Sequence, residues 1–166
     1  MLRAARRRAM KWHRLSPQDW MRALAVGAGV AALTAAVMVT ALKSGVSPLP
    51  EPLGLAFAET VVGRPLPLPV GLLFHTVWVI AFSVIYVGLF RDALTLPRAL
   101  LLGAALWLLV LVLFFPAVGW GFFGLAVTPK LIVAAAVPHL LFAIFLWGLC
   151  RLAFGRLGAV PRAPAL

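Results

Sequence analysis

The sequence predicts an all-α membrane protein: four transmembrane helices built as two tandem repeated hairpins, with short interfacial helices in the outer loops. Three observations predict it. Hydrophobic residues make up 64% of the chain and charged residues only 11%. Four apolar runs, at 23–42, 70–90, 99–115 and 131–154, contain no Asp, Glu or Lys, and their one Arg, Arg151, sits near the end of the fourth. Each approaches or exceeds the roughly 20 helical residues needed to cross a hydrocarbon core about 30 Å thick. The runs also recur in pairs. Arg22-Ala-Leu-x-x-Gly27 returns as Arg98-Ala-Leu-x-x-Gly103, Gly54-Leu-Ala as Gly124-Leu-Ala, His75 as His139, and Phe90 as Phe154. The interval between matching residues shortens along the chain, as expected if the second copy has shorter loops. Helices rather than barrel strands follow, because the runs lack polar alternation and backbone groups in lipid must bond internally.

The first element is a basic arm at 1–16. It is followed by Ser16-Pro17-Gln18-Asp19, which reads as a helix start with Ser16 as N-cap and Pro17 at the first helical position. A basic region before an apolar one also describes a secretory signal. Here the apolar run is longer than a usual signal core, and its exit, Thr40-Ala41-Leu42-Lys43-Ser44-Gly45, offers no convincing cleavage site. A retained anchor is expected. Within the first span Gly27, Ala31 and Ala35 form one small-residue row, and Ala28, Ala32 and Ala36 a second. Such rows let helix backbones approach closely in lipid, so the first helix is expected at the centre of the bundle or at a homodimer seam, the former preferred.

The first outer loop carries prolines at 48, 50, 52, 65, 67 and 69, and between them 53–63 reads as a short apolar helix. Too short to span, it is expected along the interface or over the helix ends. The 116–129 segment looks like its shorter counterpart, with Trp120 suited to the headgroup level. The domain organisation is therefore a basic arm at 1–16, one four-helix domain at 17–154 and a tail at 155–166. The first hairpin repeat covers about 17–91 and the second about 93–156.

The formal charge of +11 invites a nucleic-acid reading, but its distribution points to a membrane. Seven of the 15 basic residues lie between Arg3 and Arg22; Arg151, Arg156 and Arg162 end the chain, and Arg91 and Arg98 flank the short middle loop. The loops at about 43–69 and 116–130 hold only Lys43, Arg64 and Lys130, the first two offset by Glu51 and Glu59. Basic residues concentrate on the cytoplasmic side, so both termini are expected there. The arm then meets anionic lipid, and nucleic acid is not an expected partner. The single cysteine, Cys150, excludes an internal disulfide and any cysteine-based metal cluster.

The sharpest functional signal is the histidine pair. His75, Ser83 and Tyr86 share one face of the second span, and His139 holds the equivalent place in the fourth. Both histidines fall about 8–12 Å inside the outer helix ends. Ionisable groups at that depth tend to face the bundle interior or a cavity. The candidate buried polar site is therefore His75, His139, Ser83 and Tyr86. Facing imidazoles suit a b-type haem, a transition metal or a proton-sensitive gate. They suit equally well a purely structural role, each bonding a neighbouring carbonyl or side chain. Pro138 favours the structural role for His139, because it frees backbone carbonyls one turn earlier.

Catalysis is not expected. The four carboxylates, Asp19, Glu51, Glu59 and Asp92, all lie outside the spans, and no nucleophile, zinc or phosphate-loop motif occurs. Ser83 and His75 are eight residues apart on one helix, about 12 Å along its axis, and cannot form a dyad. Transport through an oligomeric pore fits the duplication but lacks a membrane-embedded carboxylate. An accessory, assembly or structural component with no cofactor is the reading that composition favours, with a membrane-protein partner or a second copy of the chain as its expected company.

Several motifs resemble the YagU-like small four-span proteins of the bacterial inner membrane. They are the Gly/Ala-rich first span, Leu68-Pro69-x-x-Leu-Leu-Phe-His75, Leu-Trp107, Pro116-x-x-Gly-Trp-Gly121 and Pro138-His139-Leu-Leu-Phe. The resemblance covers roughly residues 20–156. It implies a four-helix inner-membrane protein of a family without an established activity, and it carries over no catalytic residue.

Overall fold

Capping chemistry sets where the first helix begins. In the computed structural model, which describes residues 12 and 14–155, the Ser16 hydroxyl accepts from the Asp19 amide at 3.1 Å. The Asp19 carboxylate in turn accepts from the Ser16 amide at 3.4 Å. This reciprocal box satisfies two otherwise unpaired donors, and Pro17 occupies the first turn, where its missing N–H costs nothing. The arm through residue 11, His13 and the tail from 156 lie outside the described residues.

The elements that follow are α1 (Pro17–Lys43), α2 (Leu53–Val62), α3 (Leu68–Phe90), α4 (Leu96–Leu109), a π-helical turn (Val110–Phe114), α5 (Phe115–Ala117), a 3₁₀ turn (Phe122–Gly124) and α6 (Lys130–Phe154). Among the described residues the fold is all helical. Four stretches are long and apolar enough to cross a membrane: Pro17–Lys43, Leu68–Phe90, Leu96–Ala117 and Lys130–Phe154. The chain is a multi-pass integral membrane protein. Its third span is continuous but widened before Pro116. The Phe115 amide reaches back to the Val110 carbonyl, and the proline that follows has no amide to continue the ordinary ladder.

The four long helices run alternately up and down. Asp19 meets Arg91, Gly27 meets Ile80, and Thr34 meets His75, which sets α1 and α3 antiparallel. Gly29 lies against Leu149 and Arg22 over the Phe154 ring, which together do the same for α1 and α6. Gly103 lies against His139, and the Trp107 indole donates to the Ile132 carbonyl at 3.0 Å, pairing α4 with α6. α1 is thus wedged between α3 and α6, while α4 packs on the other side of α6 and scarcely touches α3. The expectation of a central first helix describes its Gly27 face, where Ala23, Val26, Gly27, Val30, Ala31 and Thr34 are buried. The second small-residue row is different: Ala28, Ala32 and Ala36 are exposed on the outer face of α1.

Two apolar cores fill the bundle. One lies toward the described chain ends and includes Val30, Val79, Tyr86, Leu106, Phe142, Leu146 and Phe154. The other lies under α2 and the 3₁₀ turn and includes Ala56, Leu111, Phe114, Phe115, Trp120 and Leu131. Trp120 is 8% exposed, with its ring 5.3 Å from that of Phe115, because the Gly119 and Gly121 turns fold it back over the helix ends.

Arginines knit the end where the described chain begins and ends. Arg91 makes a 2.8 Å ion pair with Asp19. The same guanidinium stacks 4.7 Å over Phe154, while Arg98 lies over Phe90 and Arg151 over Trp147.

Candidate functional site

His75 and His139 line one cavity of about 140 Å³ in the joint between the two cores. It sits in the half of the bundle nearer α2, closed on one side by Thr34 and Met38 of α1 and on the other by Leu106, Leu109 and Val110 of the third span. A second cavity of about 180 Å³ adjoins it and shares Met38, Leu49, Gly54, His75 and Pro138. His75 thus stands where two lobes meet. Glu51 lines the second lobe; burial first, and the neighbouring charge of Glu59 second, raise its carboxyl pKa.

Glycine makes the placement of both histidines possible. A Cβ on Gly54 would stand 2.8 Å from the Gly71 carbonyl oxygen and 3.4 Å from the His75 amide nitrogen. Only glycine there lets α2 lie against the start of α3. A Cβ on Gly103 would stand 2.8 Å from the His139 carbonyl oxygen, so glycine again brings a helix onto the histidine turn.

Each imidazole has one nitrogen engaged. His75 Nε2 lies 3.0 Å from Thr34 Oγ1. The Thr34 hydroxyl already donates to the Val30 carbonyl at 2.8 Å, with the Ala31 carbonyl at 3.2 Å. We assign its single proton to α1, so that it accepts from His75 Nε2–H and ties α3 to α1. His139 Nδ1 lies 2.6 Å from the Ala135 carbonyl oxygen. A carbonyl only accepts, so Nδ1 carries the proton. The acceptor lies on the histidine's own helix, next to Ala134, whose carbonyl loses its amide donor to Pro138. The two rings consequently hold opposite tautomers, and each keeps one nitrogen, Nδ1 of His75 and Nε2 of His139, as an acceptor. Neither free nitrogen is sealed away from solvent-sized space; among the described residues that condition is confined to Arg91 Nε.

The other two residues expected at this site lie elsewhere. Ser83 is fully buried but bonds its own helix, donating to the Val79 carbonyl at 2.8 Å, and packs where Gly27 crosses α3. Tyr86, also fully buried, donates to the Thr95 carbonyl at 2.9 Å and fastens the turn into α4. Eight and eleven residues down the helix from His75, they share its face without reaching the cavity. Thr34 is the residue the sequence reading missed. Its signal was present: it lies three residues after Ala31 and seven after Gly27, on the small-residue face that approaches α3.

The rest of the lining is apolar and strongly aromatic. Phe57 packs 4.8 Å from Phe114, Phe114 5.4 Å from Trp78, and Trp78 5.2 Å from Phe82. These rings form the wall where α3 and α4 fail to meet. Among the described residues no group of three or more His, Cys, Asp or Glu is placed to hold a metal ion. Cys150 is buried at the far end of α6. Comparison with family models, curated proteins and solved structures finds no match.

Proposed function

We propose that this integral membrane protein is a non-enzymatic accessory or structural component of the bacterial inner membrane. One observation carries the reading: the polar side chains named here make their bonds inside the bundle, two of them between helices. His75 bonds Thr34 between helices, Trp107 bonds the Ile132 carbonyl between helices, and Thr76, Ser83 and His139 each bond a carbonyl of their own helix. Interhelical ties of this kind hold packed helices in register where no hydrophobic effect separates protein from lipid.

The same reading places both termini in the cytoplasm. Arg14, Arg22, Arg91, Arg98 and Arg151 belong to that end of the bundle, against Lys43, Arg64 and Lys130 at the other. α2 and the 3₁₀ turn then lie at the outer interface, where the exposed Phe122, Phe123 and Leu125 suit the acyl boundary. Two tandem hairpins are supported by Gly27 and Gly103, which each bring the first helix of a hairpin against its second. The YagU-like resemblance agrees with this picture.

A second reading, a small transporter or oligomeric pore, is favoured by the shared histidine cavity. One experiment on membranes separates the two. Native electrophoresis after mild detergent extraction is expected to place the protein in a larger assembly with another membrane protein. Reconstituted liposomes are expected to show no histidine-dependent proton or ion flux. Migration as a bare chain or homo-oligomer, with flux lost on H75A or H139A, would favour the pore.

A further inference from the structure

We propose that the histidine cavity binds the head of a membrane-soluble ring alcohol: one hydroxylated aromatic ring, with any apolar tail lying in the second lobe or in lipid. Three features define the ligand. The first is size. An apolar cavity of roughly 150 Å³ accommodates one benzene ring, and the first lobe is about 140 Å³. The second is polarity. The proton assignments above leave His75 Nδ1 and His139 Nε2 as acceptors, so the complementary group is a donor, a hydroxyl rather than a carbonyl or ether oxygen. The third is the wall. Phe57, Trp78, Phe82, Phe114 and Phe142 surround the lobe with ring faces and edges, which favour an aromatic guest in offset or edge-on contact.

The geometry also provides a way in from the membrane. Trp78 is 44% exposed and Phe74 37% exposed, so the aromatic wall between α3 and the third span is lipid-facing on its outer side. That wall is made of side chains, because the two helices scarcely pack against each other there. Phe74 and Trp78 are the side chains past which a ring would enter from that side. The tie between His75 Nε2 and Thr34 survives binding, since the ligand uses the other nitrogen. Ligand binding is therefore compatible with the structural role of the same imidazole.

Trp78 also provides the test. The full-length protein in lipid nanodiscs is titrated with 4-bromophenol and, separately, with 4-bromoanisole. Both carry a bromine that quenches indole fluorescence, but only the phenol carries a donor. Saturable quenching that is lost in Trp78→Phe, with the phenol at least about tenfold tighter than its methyl ether, is the expected result. A hydroxyl has one proton and donates to one nitrogen, so His75→Phe or His139→Phe, whichever removes the acceptor in use, should abolish that advantage. The central comparison uses two ligands on the unaltered protein, so it holds even where a histidine variant fails to fold. Equal affinity for the two compounds would overturn the proposal and identify the cavity as an apolar void that any lipid tail fills. Linear, non-saturating quenching by both would overturn it as simple partition into the bilayer.

Discussion

Gly27→Ile is expected to destabilise the bundle by about 3 kcal/mol or more, the upper end of what overpacking costs. The reason is local. A Cβ at Gly27 would stand 2.9 Å from the Ile80 Cα, a backbone atom that cannot rotate away, and 3.2 Å from the Ser83 Cβ. α1 would have to leave α3, and with it the Thr34–His75 bond seven residues further along. Gly103→Ile is expected to act alike on α4 and α6, through the His139 carbonyl oxygen 2.8 Å away. Gly148→Ala is the control, since nothing lies within 4 Å of the added Cβ; a change of at most about 1 kcal/mol, in the stabilising direction, is expected for glycine in a helix. Unfolding titrations in mixed micelles, followed by circular dichroism, measure all three. A Gly27→Ile protein as stable as the parent would show that α1 does not pack on α3 through this face.

The second large effect belongs to the histidine tie. His75→Ala is expected to cost about 2 kcal/mol, from the lost interhelical bond and the space opened beside it. Thr34→Val keeps the shape but removes the acceptor, leaving the His75 N–H without its partner. In a double-mutant cycle the pair should couple by about 1 kcal/mol, within the range of interhelical hydrogen bonds in membranes. Additive effects would mean that the two side chains do not bond. Ser83→Ala, by contrast, removes only a bond within its own helix and should fall well below either.

The spans were legible in the sequence because membrane helices are marked by length and by the exclusion of charge, and both are one-dimensional properties. The start of α1 was legible for a similar reason: Ser16, Pro17 and Asp19 are a local capping pattern whose geometry follows from the backbone. The short helix at 53–63 was bracketed by prolines and ends at Gly63 in the left-handed conformation (φ 74°). The site was legible only in part. Helical spacing put His75, Ser83 and Tyr86 on one face, and that much is geometry. Which neighbour covers each turn of the face depends on where helices cross. α1 crosses α3 at Ser83 through Gly27, closing that turn, while the histidine turns face the space between the two cores. Thr34 escaped notice because a threonine in an apolar span bonds its own helix by default, as it does here; its second role as acceptor exists only through the α1–α3 pairing.

The account rests most heavily on two inward-facing imidazoles, each held by one nitrogen and open at the other. Nitrogen-15 NMR of the histidine side chains, in labelled His13→Gln protein reconstituted in lipid so that only His75 and His139 contribute, reads this directly. The prediction is two distinct, slowly exchanging spectra of opposite type: Nε2–H for His75, fixed by Thr34, and Nδ1–H for His139, fixed by the Ala135 carbonyl. Thr34→Val should release the first and leave the second unchanged. Two rings with identical, tautomer-averaged signals insensitive to Thr34 would place the histidines in open solvent or at the lipid surface, and would contradict the account.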